Sequence, residues 1–551
     1  MQEELTRSAR TKWWIGPALL GWIMVAAAMV AAVGNSYLVD AISRDLNLSS
    51  DDWANVQTVK ALAALLVVFI AGQIPSWLGY RTSVFGAAGL FALGSLSIAA
   101  AMNIVMLSVG YALLGAALGS MAVLAVSLVN AYVLDKGERA TAFAFLGAMV
   151  PAIFMIFPLL TGFVIDNGNW RFVPLGWAVI GCMILLFLKL APSRSASAEP
   201  DRPEIATAIL AGIMLALALG ALGSIDWSDL LRPKMTIQAL GAILAGALLV
   251  VAYRRSPSPG LSLAPVRDKE TRMLLLVAAL VSITNVFFWI TVGFQYVYQL
   301  SPTTTSIVLL PMQAVGVFGT VVVARYVMRR FSVYVAGLIA LGVQGVGLCF
   351  LFGIQPDQPV WVPSVLVAIY GLCNAAFWAT ISSVIMSGAT PSGSGSMSAY
   401  KSAAGSVAGI IGTIFVSAFT LLIIQYELTL KLMSAGANEA DASNIVSEIV
   451  EAPSSVDQLN IYPTYSASYP VETLHQESII AGFRVNTAVG LLGTLAAALI
   501  IWRLMRHQAK TKVSSIAEAE SESPELDSEQ PSKTRPPAVE ESGANTSRGD
   551  T

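Results

Sequence analysis

The chain has 551 residues, of which 56% are apolar and only 12% charged, with a formal net charge of −2. Soluble domains carry roughly 25% charged residues, so this composition excludes a water-soluble protein. With basic residues scattered through loops rather than patched, it also gives no footprint for nucleic acid.

Apolar runs long enough to cross a bilayer recur along the whole chain. Fourteen spans are expected, at about residues 14–38, 56–75, 83–102, 106–130, 140–165, 172–191, 204–223, 236–253, 273–297, 304–324, 333–353, 360–387, 402–424 and 479–503. The expected fold class is an all-α polytopic membrane protein with 14 transmembrane helices. Arg7, Arg10 and Lys12 precede the first run, which lacks a cleavage pattern and reads as a span rather than a removable signal. Alternate loops are rich in Lys and Arg: Arg81, Lys136, Arg139, Arg254, Arg255, Arg267, Lys269, Arg272, Arg325, Arg329 and Arg330 fall on one side, with Arg503 and Arg506. The intervening loops hold few, among them Arg44, Arg171 and Lys431. By the positive-inside rule both termini are expected in the cytoplasm of a cell held by its plasma or inner membrane.

Span 5 is the most structured stretch. A charged turn, Asp135-Lys136-Gly137-Glu138-Arg139, opens it, and Asp166 to Arg171 closes it. Between them Ala140, Ala144, Gly147, Pro151, Pro158 and Gly162 fall in one stripe about 60° wide. Small residues admit a close neighbour, and prolines bend the helix toward protein rather than lipid.

Two segments are expected outside the bilayer. Gln425 to Gln476 forms a long loop whose first part, Leu428 to Val450, reads as an amphipathic helix, while the part around Pro463 and Pro470 reads as irregular. From Lys512 the tail is rich in Ser, Glu and Pro and is expected to be disordered. Cys182, Cys349 and Cys373 all lie in apolar runs and read as packing residues. His475 and His507 lie outside the expected spans, which argues against a histidine metal site in the bilayer; no metal or cofactor is expected.

The loop Gly72-Gln73-Ile74-Pro75-Ser76-Trp77-Leu78-Gly79-Tyr80-Arg81 is echoed by Ala324-Arg325-Tyr326-Val327-Met328-Arg329-Arg330-Phe331 between spans 10 and 11. Repeated halves around a midplane site are how many secondary transporters are built.

On these residues the chain resembles the fourteen-helix drug:proton antiporter branch of the major facilitator superfamily. The resemblance runs over about residues 13–505 and is carried by Glu138-Arg139, Pro158 and Gly162, Trp170-Arg171, Pro265 to Arg272, and Gln299-Leu300-Ser301-Pro302. It implies two six-helix bundles with spans 7 and 8 inserted between them. The corresponding divisions are 1–13 (N-terminus), 14–191 (first bundle), 192–272 (inserted pair and linker), 273–503 (second bundle, with loop 425–476) and 504–551 (tail). It further implies gating roles for Gly72, Gly79, Arg81, Glu138, Arg139, Pro158, Gly162, Trp170 and Arg171. The departures are as informative. The family's acidic residue after span 2 falls on Ser76, its span 1 acid on Ala31, and its span 4 arginine on Tyr111, so the proton-handling residues are largely missing.

No Asp or Glu falls well inside an expected span. The ionisable candidates sit near span ends: Asp40 and Lys60 as a carboxylate–ammonium pair or as a plain cap and a snorkelling lysine, Arg484 beside Asn486, and Lys401 as an interfacial anchor. Asn285, Trp289, Gln295, Gln313, Asn374 and Trp378 supply uncharged polar and aromatic groups at mid-depth. Each is as well read as a helix–helix contact; together they suit a small amphipathic substrate. The expected function is export of hydrophobic or amphipathic compounds by alternating access, with coupling to protons left open. The rival is a lipid or envelope-component transporter, or an assembly partner that docks through 425–476. No nucleophile–base pair or phosphate loop supports an enzyme.

Overall fold

The computed structural model describes residues 15–521 apart from 49, 134, 192–204, 224–232, 257–262, 285, 301, 388–393, 452–460 and 467. Thirteen described helices are long and apolar enough to cross a membrane. One of them, Asn55–Ala99, is 45 residues long, which is two crossings. Gly79 divides it, with φ 79° and ψ 160°, a backbone open to glycine and costly for other residues. Fourteen crossings result.

The chain reverses at Gly79. Gly115 of span 4 packs on the Lys60 carbonyl and Gly119 on that of Ala64, so spans 2 and 4 run parallel, whereas Gly94 of span 3 meets Leu114 and Gly110 meets Ile98, an antiparallel pair. Span 1 is Ile15–Asp45, span 4 Ile104–Tyr132, span 5 Lys136–Asn167 and span 6 begins with Phe172–Leu186. These share a core built on Leu20, Phe91, Tyr111 and Trp177. The inserted pair, span 7 (Ile205–Gly223) and span 8 (Pro233–Arg255), is joined at Gly220 against Gln238 and at Gly241 against Leu217. Span 7 docks on span 2, where a Cβ at Gly212 would lie 2.2 Å from the Leu66 carbonyl oxygen.

Span 9, expected as one helix, is broken. Lys269–Ser282 ends and Val286–Val292 begins after an unwound stretch at mid-depth. Span 13 causes the break to be tolerated: it runs Ser394–Ile411, a π turn Gly412–Ser417, then Ala418–Ser434. A Cβ at Gly412 would sit 1.6 Å from the Ile283 carbonyl oxygen, so only glycine lets the unwound backbone lie against it. Irregular backbone at this depth survives where protein, not lipid, covers it. Spans 11 (Val333–Leu351), 12 (Trp361–Met386) and 14 (Val471–Ser521) complete the second bundle, around Trp289, Phe294, Tyr370 and Phe483. Residues such as Leu93, Phe163, Leu186, Leu244 and Leu492 are more than half exposed and form the lipid-facing surface.

The helix of span 14 continues to Ser521, through the first part of the tail expected from Lys512 to be disordered, because the helix runs on past the end of the apolar run; residues beyond it lie outside the described ones. The loop before span 14 is a folded cap rather than an open arm. Helix Glu439–Glu451 turns Ala442, Ile445 and Ile449 onto Leu428, Leu432, Tyr462 and Val471. A Lys431–Glu477 ion pair at 2.8 Å, a Tyr465 hydroxyl donating to Glu448 Oε2 at 2.6 Å and a 2.8 Å Tyr462–His475 hydrogen bond hold it closed.

Candidate functional site

A cavity of about 830 Å3 opens between the two bundles. Span 2 walls it with Gln57, Ala61, Ala64 and Leu65, span 7 with Leu219 and Gly220, and span 13 with Ser406, Gly409 and Ile414. Span 9 lines it at its break, through Ser282 at the end of the helix and Thr284 in the unwound stretch, with Trp378 of span 12. Trp378 is 36% exposed, a large aromatic presented to an opening rather than packed away. The lining thus combines aliphatic side chains, one indole and hydroxyl and amide groups, and none of the lining residues is charged. Such a surface suits a ligand with a large apolar body and a few polar groups.

The cavity has an asymmetric surround. At the basic ends of the spans the bundles are latched together. Asn130 Nδ2 donates to Ser394 Oγ at 2.9 Å, Gln73 Nε2 to Ser396 Oγ at 2.8 Å, and Ser398 Oγ to the Val123 carbonyl at 2.9 Å. Gly72 and Gly395 touch backbone to backbone, a Cβ on Gly395 falling 2.0 Å from the Gly72 carbonyl oxygen. Arg329, at the end of span 10 (Thr303–Arg330), reaches across to Thr141 Oγ1 at 3.0 Å and the Gly137 carbonyl at 3.4 Å. A shared apolar cluster of Phe143, Leu274, Phe377, Ile381 and Met397 fills the space between. At the opposite ends, Tyr37 of span 1 bonds to Ser306 of span 10. Asn55 and Thr58 at the cavity's rim are exposed.

The gating residues expected from sequence divide between these regions. Gly72 is in the latch. Arg81 is exposed and donates to the Leu188 carbonyl at 3.4 Å. Asp135 caps span 5 by accepting from the Glu138 amide at 2.8 Å, and Arg139 Nη1 bonds Asn130 Oδ1 at 3.4 Å, orienting the amide that reaches Ser394. Along span 5, Gly147 meets Ala379 and Thr320, and Pro151 meets Gly316, so the stripe packs on spans 10 and 12. Pro158 is buried, whereas nothing lies within 4 Å of a Cβ at Gly162, so the stripe leaves contact at its far end. Trp170 and Arg171 converge on Asp45. The indole donates to it at 3.1 Å and the guanidinium at 2.8 Å, while Arg171 also bonds the Ala101 carbonyl at 2.7 Å and stacks on Trp170 at 4.5 Å. Asp45 escaped the sequence reading because nothing local distinguishes it from a solvated helix end.

The substrate candidates separate too. Trp378 lines the cavity. Asn374 accepts from Gln344 Nε2 at 3.3 Å, a helix–helix bond, and Gln313 is buried within span 10. Trp289 is 2% exposed with its indole nitrogen unpaired, in the second bundle's core. Gln295 is half-buried on the π turn Gly293–Val297. Arg484 donates to the Ile354 carbonyl at 3.2 Å, pinning span 14 to the end of span 11. Lys401, expected at the membrane interface, lies two turns inside span 13 and donates to Ser382 Oγ at 2.9 Å; the helix starts earlier than its apolar run. Asn285 and the Asp40 side chain lie outside the described residues. Lys60 lies five residues into the candidate span Asn55–Ala99. The helix begins at Ser50, and the ammonium lies 5.8 Å from the centre of the Tyr111 ring.

Residues 19–413 match the Major Facilitator Superfamily. The puromycin resistance protein of Streptomyces alboniger is 25% identical over 359 residues, 63% of this chain and 69% of that one. The tetracenomycin C resistance and export protein of Streptomyces glaucescens is 24% identical over 502 residues, 88% and 90% of the two chains. Among solved structures, the human organic anion transporter MFSD10 superposes with a TM-score of 0.55 at 13% identity, covering 89% of this chain and 99% of its own. At that identity the likeness speaks for the fold alone.

Proposed function

The chain belongs to the Major Facilitator Superfamily, and from that premise we propose that it exports hydrophobic or amphipathic compounds by alternating access. The observation that carries the reading is the 830 Å3 cavity between bundles that several bonds join at their basic ends, against the Tyr37–Ser306 bond described at the opposite ends. Alternating access needs two halves that rock about a central site, with one end closed at a time. The names of the two bacterial relatives, one for puromycin resistance and one for tetracenomycin C resistance and export, favour outward movement of antibiotic-like molecules. Placing the basic ends in the cytoplasm, as the positive-inside rule favours, makes the more extensively joined end the cytoplasmic one and supports reading the conformation as outward-facing.

Asp40 is the candidate proton carrier and the cavity lining the substrate surface. Helix Glu439–Glu451 turns its apolar side chains onto Leu428, Leu432, Tyr462 and Val471, which weighs against a docking arm for a partner. The test is efflux of lipophilic cations, neutral amphiphiles and fluorescent lipids from proteoliposomes, with and without a pH gradient. Gradient-driven efflux that Asp40→Asn abolishes supports antiport. Efflux indifferent to the gradient retains the exporter and removes the proton. Movement of none of the probes overturns the exporter.

A further inference from the structure

Lys60 is a half-buried cation in the first turns of the candidate span Asn55–Ala99, and the one contact described for its ammonium is the face of Tyr111. An ammonium at that depth is costly and calls for an anion or a polar partner; an aromatic face supplies part of the stabilisation only. Tyr111 is fully buried, Trp53 packs edge-on against its ring at 5.7 Å, and its hydroxyl has no hydrogen-bond partner. A buried donor without an acceptor is rare, and here it sits on the ring beside the cation. Lys60 and Tyr111 are not themselves in the cavity lining, but span 2 places Lys60 beside it. Gln57, one turn before Lys60, and Ala64, one turn after, both line it, and Asn35 of span 1 fixes the Gln57 amide at 3.2 Å.

We propose that Lys60 and the Tyr111 hydroxyl form an anion-binding site on the flank of the cavity, which takes the carboxylate, sulfonate or phosphate head of an amphipathic substrate. The apolar body then lies along Leu62, Leu65, Leu219, Ile410 and Trp378. The site rests on the exporter reading for its purpose but not for its existence. Charge-assisted hydrogen bonds to an ammonium in a poorly hydrated site are the strong class, so the head group is preferred over an uncharged isostere by about tenfold or more.

The test uses the full-length protein and three probes with one pyrene-labelled alkyl chain: the carboxylate, its methyl ester and a trimethylammonium analogue. Binding is measured by equilibrium dialysis in detergent, and efflux in proteoliposomes. Wild type is expected to bind the carboxylate at least tenfold more tightly than the ester. Lys60→Gln brings the carboxylate-to-ester ratio to about one, Tyr111→Phe lowers it, and Lys60→Arg retains it. Equal binding of carboxylate and ester by wild type, preference for the cation, or a ratio that Lys60→Gln leaves unchanged overturns the site. Selective binding without efflux of any probe keeps the site and sinks the exporter. Efflux of ester and cation without selectivity does the reverse.

Discussion

Gly395→Ala probes the latch most directly. The added methyl would lie 2.0 Å from the Gly72 carbonyl oxygen and 3.1 Å from its carbon, where ordinary contact begins at 3.4 Å. Both atoms are backbone, so spans 2 and 13 must part by more than about 1 Å. Overpacking of this kind costs roughly 1–3 kcal/mol. Separation also stretches the Gln73–Ser396 and Asn130–Ser394 bonds, each worth about 1 kcal/mol. The total falls only on the conformation in which the basic ends are closed. Every 1.4 kcal/mol changes a population ratio about tenfold, so the protein shifts toward the state with those ends open. The assay is labelling of a cysteine at Val133, 0% exposed in the latch cluster, by a membrane-impermeant maleimide, after replacing Cys182, Cys349 and Cys373. Labelling should accelerate at least tenfold. Gly86→Ala, whose methyl meets nothing within 4 Å, should leave it at the parental rate. A monodisperse Gly395→Ala protein that labels no faster than its parent would refute the latch.

Other perturbations test the structure's remaining joints. Gly412→Ala drives a methyl to 1.6 Å from the Ile283 carbonyl and should cost about 3 kcal/mol or more, read as a lower melting temperature; Gly293→Ala, in open space, should not. Asp45→Ala removes one acceptor from both Trp170 and Arg171 and should cost about 1–2 kcal/mol, reduced from a buried pair's value because both side chains are partly exposed. An unchanged melting temperature would mean that the Ala101 carbonyl bond alone holds Arg171. Asp268 caps the first turn of span 9, and hydrogen bonds from the Thr271 hydroxyl and amide hold its carboxyl below the ordinary 3.8. A depressed value means that the charged cap stabilises the fold above the ordinary pKa and that this contribution fades as pH falls through the lower, folded value. Asp268→Ala should cost about 1 kcal/mol at neutral pH, and Asp268→Asn should keep the cap while flattening the acid limb of a stability-versus-pH curve.

Fourteen crossings were legible because lipid imposes one rule on every span: about twenty apolar residues, read one run at a time. Span ends were less so. Lys401 and Lys60 sit inside helices whose apolar runs begin later, since a helix continues as far as its hydrogen bonds and caps allow, whatever its hydropathy. The break in span 9 had no local signal: Ser282, Ile283 and Thr284 carry neither proline nor glycine, and the permission came from Gly412 on another helix, 129 positions away.

The chain's own sequence determined its class, its number of crossings, the basic side of its loops and the scarcity of carboxylates at mid-depth, all properties of single segments against solvent. Only the tertiary structure decided which polar groups meet. It set Asp45 under Trp170 and Arg171, paired Asn374 with Gln344 rather than with the cavity, joined Gly72 to Gly395, and turned Lys60 toward Tyr111. Those pairings join residues up to 323 positions apart, and short-range periodicity carries no information about which faces of two distant helices will be brought together.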